Sequence, residues 1–443
     1  MVFTHELDRA AIPLASRKRG VIIGTLVMGF AAAALISPRT IPFGLPVVAV
    51  CAAALGSGRQ ALLREWSPSK NGVLTVVAFL GLALASVLWA AEWDAPLGPA
   101  VKGSAYLLAA LAAAVVMRNE RRSDTFHIAE GLWIGLLVGL VYLLFEIASG
   151  QAIKLALYRM LALGPGDLRP PMYFTWSGRH LDAISPFDLT RNIAPISMYL
   201  WAALLAMRSG MPSRKARMAV VAMFVLAALV IGLSEHETSK VAMAASTLVF
   251  ALAYSRPELS LKVLRVGWVA ACLAIIPVSL ALHRAGLHQA TWLQNTARHR
   301  VIIWNHTAEE SLKAPLLGVG AGMMYRLGSA PEKMKNPGED FQYNVPHAHN
   351  IYLQTWFELG AAGAAILTLI GLAILERIGR MSIRAQPYAQ ATFASAMVMA
   401  AASYGMWQPW FIAMFAFCVT AFAIAVRVDT PGEMAEPLDR SSA

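Results

Sequence analysis

The sequence predicts an all-α polytopic membrane protein, and three observations carry that prediction. Hydrophobic residues make up 57% of the 443 and charged residues only 14%, with a mean hydropathy of +0.55, against roughly 25% charged in an ordinary soluble domain. Apolar runs of membrane-crossing length recur from residue 20 to residue 426. Lys and Arg are sorted between alternate connecting loops, as in a chain that crosses a bilayer repeatedly. The polar remainder leaves no room for a soluble catalytic domain. Nothing in it has the pattern of a glycine-rich nucleotide loop, which argues against ATP-driven chemistry.

At roughly 20 apolar residues per crossing, helices are expected at about 20–36, 43–57, 73–91, 101–117, 128–148, 189–207, 218–233, 241–254, 266–282, 350–376, 388–404 and 409–426. The second, seventh and eighth are short enough to tilt or partly re-enter. About twelve spans therefore form a single transmembrane domain over 1–427, followed by an acidic, Pro-containing cytoplasmic tail over 428–443. No internal repeat of fixed period is present.

The distribution of charge gives the orientation. The tail before the first span carries Arg17, Lys18 and Arg19, and the five short loops on that side (58–72, 118–127, 208–217, 255–265, 377–387) contain sixteen Lys and Arg. The short loops on the other side contain only Arg39, Lys102 and Lys240. The positive-inside rule makes both termini cytoplasmic. It also accounts for the net charge of +11 without a nucleic-acid partner. The first apolar segment is too long for a removed signal peptide and lacks a small-residue cleavage site, so it is read as an anchor. Cys51, Cys272 and Cys418 all lie in apolar stretches with no paired spacing. Neither a disulfide framework nor a thiolate metal site is expected.

Two long segments fall on the outer side: 149–188, rich in Pro, Gly and aromatics, and 283–349, the largest polar stretch in the chain. Long extramembrane loops usually carry function. Basic groups cluster there against the topological trend: Arg191 opens the sixth span, Lys240 opens the eighth, and Arg298 and Arg300 lie in the long loop. A lone interfacial Arg can snorkel to headgroups. Several together point to a shared anion site, with diphosphate the natural occupant because the guanidinium fork matches phosphate oxygens. A second constellation, Pro346-His347-Ala348-His349-Asn350-Ile351-Tyr352, sits where the long loop re-enters the membrane. His is the side chain suited to accept a proton near neutral pH, although a loop His is also commonly structural. His347 and His349 could instead ligate a metal, but Glu339 and Asp340 are too far along the chain to complete an obvious site.

These residues reach a family. His349-Asn350, nine residues, Gly360, two residues, Gly363 resembles the signature of bacterial O-antigen ligases and of the superfamily that includes O-antigen polymerases and protein O-oligosaccharyltransferases. Arg300-Val-Ile-Ile-Trp304 agrees with it. So do Ala314-Pro315-Leu-Leu-Gly318-Val-Gly320, similar to the family's Pro-Leu-Leu-Gly-x-Gly element, and Thr238-Ser239-Lys240, where relatives tend to have Ser-Arg. The best-matched part spans about 189–376. Lys at 240 keeps the charge but puts bidentate phosphate contact there in doubt.

The resemblance implies a GT-C-like fold in the bacterial inner membrane, with short helices in the large periplasmic loop. It implies transfer of a glycan from undecaprenyl diphosphate to a sugar hydroxyl of lipid A-core at the periplasmic face. His349 would accept the acceptor proton, Arg191 and Arg300 would neutralise the leaving diphosphate, and Lys240, Arg298, Asn350 and His347 would complete the binding of substrate. No cofactor is expected. Metal independence is expected too, since Glu92/Asp94 and Glu235/Glu237, the latter flanking His236, read more simply as solvated pairs. An O-antigen polymerase, which elongates a lipid-linked glycan, is not excluded by anything local. A protein O-oligosaccharyltransferase would need a polypeptide-binding region that is not obvious. A polyprenyl-glycan transporter would be expected to show ionisable residues at mid-membrane and broken helices in symmetric halves. Here the polar residues concentrate on one side.

Overall fold

The structure, a computed structural model, describes residues 14–55, 70–119, 122–168, 170–211, 213–327 and 346–429. The described parts of the twelve apolar segments lie mainly on helix: α1 (Leu14–Ile36), α2 (Ile41–Leu55), α3 (Lys70–Ala85), α4 (Leu97–Asn119), α5 (Arg122–Ser149), and then, after a short helix α6 (Ala152–Met160), α7 (Thr190–Gly210), α8 (Ser213–Leu233), α9 (Glu237–Ser255), the pair α10 (Pro257–Leu273) and α11 (Ile275–Arg284), and, past the helices α12 (Asn295–Ser311) and α13 (Met323–Leu327), α14 (Ile351–Gly379), α15 (Gln386–Ala402) and α16 (Pro409–Asp429). The expected cytoplasmic tail and the stretch holding Glu339 and Asp340 lie outside the described residues.

Six of the described helices, α1, α4, α5, α8, α14 and α16, are long and apolar enough to cross a bilayer, and the α10/α11 pair would make a seventh. Not every helix of a bundle faces lipid. α7 is buried on all sides from Asn192 to Met207, so polar residues that would be costly against hydrocarbon find protein partners instead. Asn192 donates 2.7 Å bonds to the carbonyls of Leu35 and Ile36, and the Tyr199 hydroxyl donates to Ala31 at 2.8 Å.

Two segments read as single helices are broken. The 266–282 segment bends by 71° at Ala274, between α10 and α11. Pro277 supplies the reason: its ring cannot donate to the carbonyl of Leu273 and crowds it. Trp356 of α14 caps the same exposed turn by donating to the Cys272 carbonyl at 2.7 Å. The second break is at Gly360 inside α14, where φ is +60° and ψ is −158°.

The segment 149–188, expected on the outer side, is a packed unit, and it carries strands where the sequence predicts an all-α fold. β1 (Phe174–Ser177) pairs antiparallel with β2 (His180–Ile184) across a turn at Gly178, whose φ of +63° suits a tight hairpin. Phe174, Leu181 and Ile184 bury one face against Leu155 and Tyr158 of α6. Lys154 on α6 is ion-paired with Asp188, which ties this unit to the start of α7.

α1 and α5 run side by side in the same direction with their backbones in contact, since a Cβ on Gly131 would lie 2.0 Å from the Gly24 carbonyl oxygen. Such small-residue seams replace hydrophobic drive between helices in lipid. At one end of the bundle Arg19 meets Asp124, and Ser209 and Ser382 both bond Asp429. Asn192, Lys154 and Arg326 make their contacts at the other end, where Arg326 pairs with Glu92 and Asp94. The two ends thus separate residues as the Lys/Arg count does.

Candidate active site

The Pro-Leu-Leu-Gly-x-Gly stretch and the break in α14 form one structure. Opening the helix at Gly360 frees backbone groups, and residues 315–320 take them up. Ala361 and Ala362 donate to the carbonyls of Pro315 and Leu316 at 2.8 and 3.2 Å, while Val319 and Gly320 donate to those of Phe357 and Glu358 at 3.0 and 2.9 Å. The approach is close enough to exclude side chains on both partners: a Cβ on Gly318 would sit 2.4 Å from the Glu358 carbonyl carbon, and one on Gly360 2.4 Å from that of Leu316. Both residues have positive φ, so glycine is required on two counts. The fully buried Glu358 carboxylate locks the junction, accepting from Gln354, from the Gly322 backbone and from the Trp407 indole.

This junction leads directly into the segment that carries the histidines. Asn350 caps α14 by accepting from the Leu353 backbone N–H at 3.0 Å, which is the role of an N-cap. It is therefore a buried structural residue, where contact with substrate was expected. Trp304 on α12 donates to the Ala348 carbonyl at 3.0 Å. Arg300, one turn earlier on the same face, is thereby directed at the His347–His349 turn. That turn is tight: His349 has φ of +55°, a region in which His is commoner than most side chains. The two imidazoles lie 4.2 Å apart between centroids. His349 Nδ1 is 2.7 Å from the Ser403 carbonyl oxygen. A carbonyl can only accept, so Nδ1 carries the proton and Nε2 is left bare in the neutral ring.

Arg191 enters from the N-terminus of α7. It and Arg300 act electrostatically on His347, and Arg300 acts on His349 and His236 as well. Burial, reinforced by these charges, pushes His347 and His236 down to about 3. Burial outweighs the Ser403 bond to bring His349 to about 4, with Arg300 adding to the depression. All three rings are thus neutral at physiological pH. Neither Arg191 nor Arg300 has a carboxylate within ion-pair distance among the described residues. Burial lowers the Arg300 guanidinium from its usual range. Among the described residues, His347 Nδ1 is also buried with no hydrogen-bond partner. Unpaired buried charge is costly unless something completes it, and an anion bound between the guanidiniums would do so.

Two other expected members are not brought into this cluster. Lys240 is committed to Glu237, 2.7 Å away on its own helix. Arg298 points away from Arg300 on α12 and bonds Asn295. In their place are two residues the sequence reading passed over as site members. Tyr404, in the loop between α15 and α16, lies among Thr190, Arg191 and Arg300, and its hydroxyl is 3.4 Å from His236 Nε2. His236 is buried between exposed Glu235 and half-buried Glu237, so these three do not converge on one point. Among the described residues no three His, Cys, Asp or Glu side chains gather as metal ligands would. Tyr404 carries no sequence signal because it falls at the very end of the apolar 388–404 segment, where a single Tyr is unremarkable.

The fold and this arrangement define a polytopic membrane protein with a cationic, imidazole-bearing site at one end of its bundle. The O-antigen ligase family model matches residues 222–368, a stretch that contains His236, Arg300, His347, His349 and Gly360. The chain is 23% identical over 250 residues to a protein of Rickettsia conorii, covering 55% of this chain and 59% of the relative, and 23% identical over 248 residues to one of Rickettsia typhi, covering 55% and 60%. Both relatives are named, provisionally, as polysaccharide ligases. The chain thus matches about three fifths of the length of these relatives. The family match over 222–368 and these relatives together support an O-antigen ligase superfamily member.

Proposed function

We propose that the protein is a metal-independent glycosyltransferase of the inner membrane. In this reading it moves an O-antigen glycan from undecaprenyl diphosphate to a sugar hydroxyl of lipid A-core at the periplasmic face, with both termini cytoplasmic. The observation that carries the reading is the pair of guanidiniums, Arg191 and Arg300, with no carboxylate partner among the described residues, near a neutral imidazole with a bare Nε2. Superfamily membership supports the reaction class.

In the reaction the acceptor oxygen attacks the anomeric carbon and its proton passes to His349 Nε2. The bond from that carbon to the diphosphate oxygen breaks, and the electron pair leaves with the diphosphate, whose growing charge Arg191 and Arg300 offset. Both cations are in place before the reaction begins, so they need not reorganise as charge develops. His347, with a free Nδ1, is suited to a hydrogen bond with the donor or acceptor. The test is transfer by purified protein supplied with undecaprenyl-linked glycan and two competing acceptors, rough lipopolysaccharide and a second lipid-linked unit. Product on lipopolysaccharide alone is the expected result, and product on the lipid-linked unit would make the protein a polymerase.

A further inference from the structure

We propose that Tyr404 is a third donor to the bound diphosphate, filling the place the sequence assigns to Lys240, and that His236 and Ser239 are positioning residues that set the direction of its hydroxyl. The inference rests on the diphosphate reading above and adds residues to that site.

Three observations carry it. Tyr404 lies beside Thr190, the residue before Arg191, and within electrostatic reach of both Arg191 and Arg300, neither of which has a carboxylate within ion-pair distance among the described residues. A hydroxyl within the field of both cations is placed to donate to an anion that bridges them. Behind it runs a buried chain: Tyr404 hydroxyl to His236 Nε2 at 3.4 Å, and His236 Nδ1 to Ser239 Oγ at 2.7 Å. The Thr238 hydroxyl, donating to the Ala402 carbonyl at 2.8 Å, fixes the start of α9 against the end of α15 and so holds the chain together.

The chain has two proton arrangements with the same charge. In one, His236 Nδ1–H donates to Ser239 and Tyr404 donates to Nε2. In the other, Ser239 donates to Nδ1, Nε2–H donates to the Tyr404 oxygen, and the phenol proton is released toward the site. Because the ring is neutral, the change is a tautomer shift that needs no proton from outside. At 3.4 Å the tyrosine contact is long for a hydroxyl donor, so the hydroxyl gives up little in turning to a phosphate oxygen, and a bond to an ionised acceptor is the stronger one. Nothing comparable is open to Lys240, whose ammonium is held by Glu237.

The experiment measures undecaprenyl diphosphate binding and donor and acceptor kinetics for the purified full-length chain in lipid nanodiscs. Tyr404→Phe is expected to weaken diphosphate binding and donor kcat/KM by roughly ten- to a hundredfold, the scale of one hydrogen bond to a charged group, with acceptor KM and thermal midpoint unchanged. His236→Phe should reproduce that loss, and His236→Gln, whose amide both donates and accepts, should recover part of it. Unchanged diphosphate affinity in Tyr404→Phe overturns the proposal. So does an equal loss toward donor and acceptor together with a lowered thermal midpoint, which would make the ring a packing residue. Arg191→Ala and Arg300→Ala serve as the control: if they bind undecaprenyl diphosphate as the wild type does, the diphosphate site itself is wrong, independently of Tyr404.

Discussion

His349 combines a left-handed backbone, a fixed tautomer and a depressed pKa, and each has a consequence for activity. Replacing it with Ala should lower kcat by about 10²–10⁴-fold, the usual contribution of a general base. Binding of undecaprenyl diphosphate should persist, because the guanidiniums remain. Transfer at wild-type rate by that variant would remove His349 from the mechanism. Burial and Arg300 hold the ring at about 4 where an ordinary imidazole titrates at 6.5, so the base-competent neutral form is lost only on strong acidification. Donor kcat/KM should therefore stay level from pH 8 to about 5 and fall as pH drops through 4, and a descending limb centred near 6.5 would contradict the assignment. An anion beside Arg300 offsets its charge, so the limb in kcat, which reports the bound state, should lie at higher pH than that in kcat/KM. The same depression governs stability. His236, His347 and His349 bind protons more readily when unfolded, so the stability they contribute is complete above 6.5 and declines as pH falls toward 3–4.

At the scale of elements, the break in α14 turns a membrane helix into a clamp for the outer loop. Gly360 and Gly318 face each other's backbones with positive φ. Alanine at either position should destabilise the junction by about 1–3 kcal/mol, the cost of a non-glycine residue in such a region. Because both substitutions disrupt the same contact, the double variant should lose less than the sum of the singles. Thermal unfolding in detergent of the three variants checks this, and strict additivity would mean that the two glycines act separately. Transfer should fall along with stability, since Asn350 and the histidine turn follow from the same end of α14. The bend at Ala274 was readable in advance from Pro277. Gly360 belongs to a motif, but nothing local marks it as a break, because the backbone groups it exposes are satisfied by residues about forty positions earlier.

For the whole molecule, two expectations concern surroundings. If guanidiniums carry the diphosphate's charge, a divalent ion in the same place is redundant and repelled. Transfer should then survive EDTA, and Glu235→Gln should cost little. Loss of activity on chelation with recovery on Mg²⁺ would redirect attention to Glu235, His236 and Glu237. Orientation can be tested on a variant lacking half-exposed Cys51, since Cys272 and Cys418 are buried. A cysteine at Arg179, in the hairpin turn, should react with an impermeant thiol reagent added outside intact spheroplasts, whereas one at Arg214, at the opposite end of the bundle, should react only after lysis. The reverse pattern would invert the proposed topology.

From the residues along the chain come the helical membrane class, the grouping of residues at two ends and three residues of the candidate site. Hydropathy and charge act locally: Arg191 and His349 sit beside span boundaries where a misplaced polar group is conspicuous, and Arg300 stands out as a basic residue in the Arg300-Val-Ile-Ile-Trp304 stretch of the long outer loop. Only the tertiary structure decided which neighbours share the site. Lys240 and Arg298 satisfy the same charge argument, yet each is neutralised or held by a partner on its own helix, a matter of rotamer and helix face. Tyr404 and His236, 168 positions apart, meet because α9 and α15 pack together. Side-chain contacts of that separation depend on how the whole bundle closes, and no periodicity, motif or charge count along the chain records it.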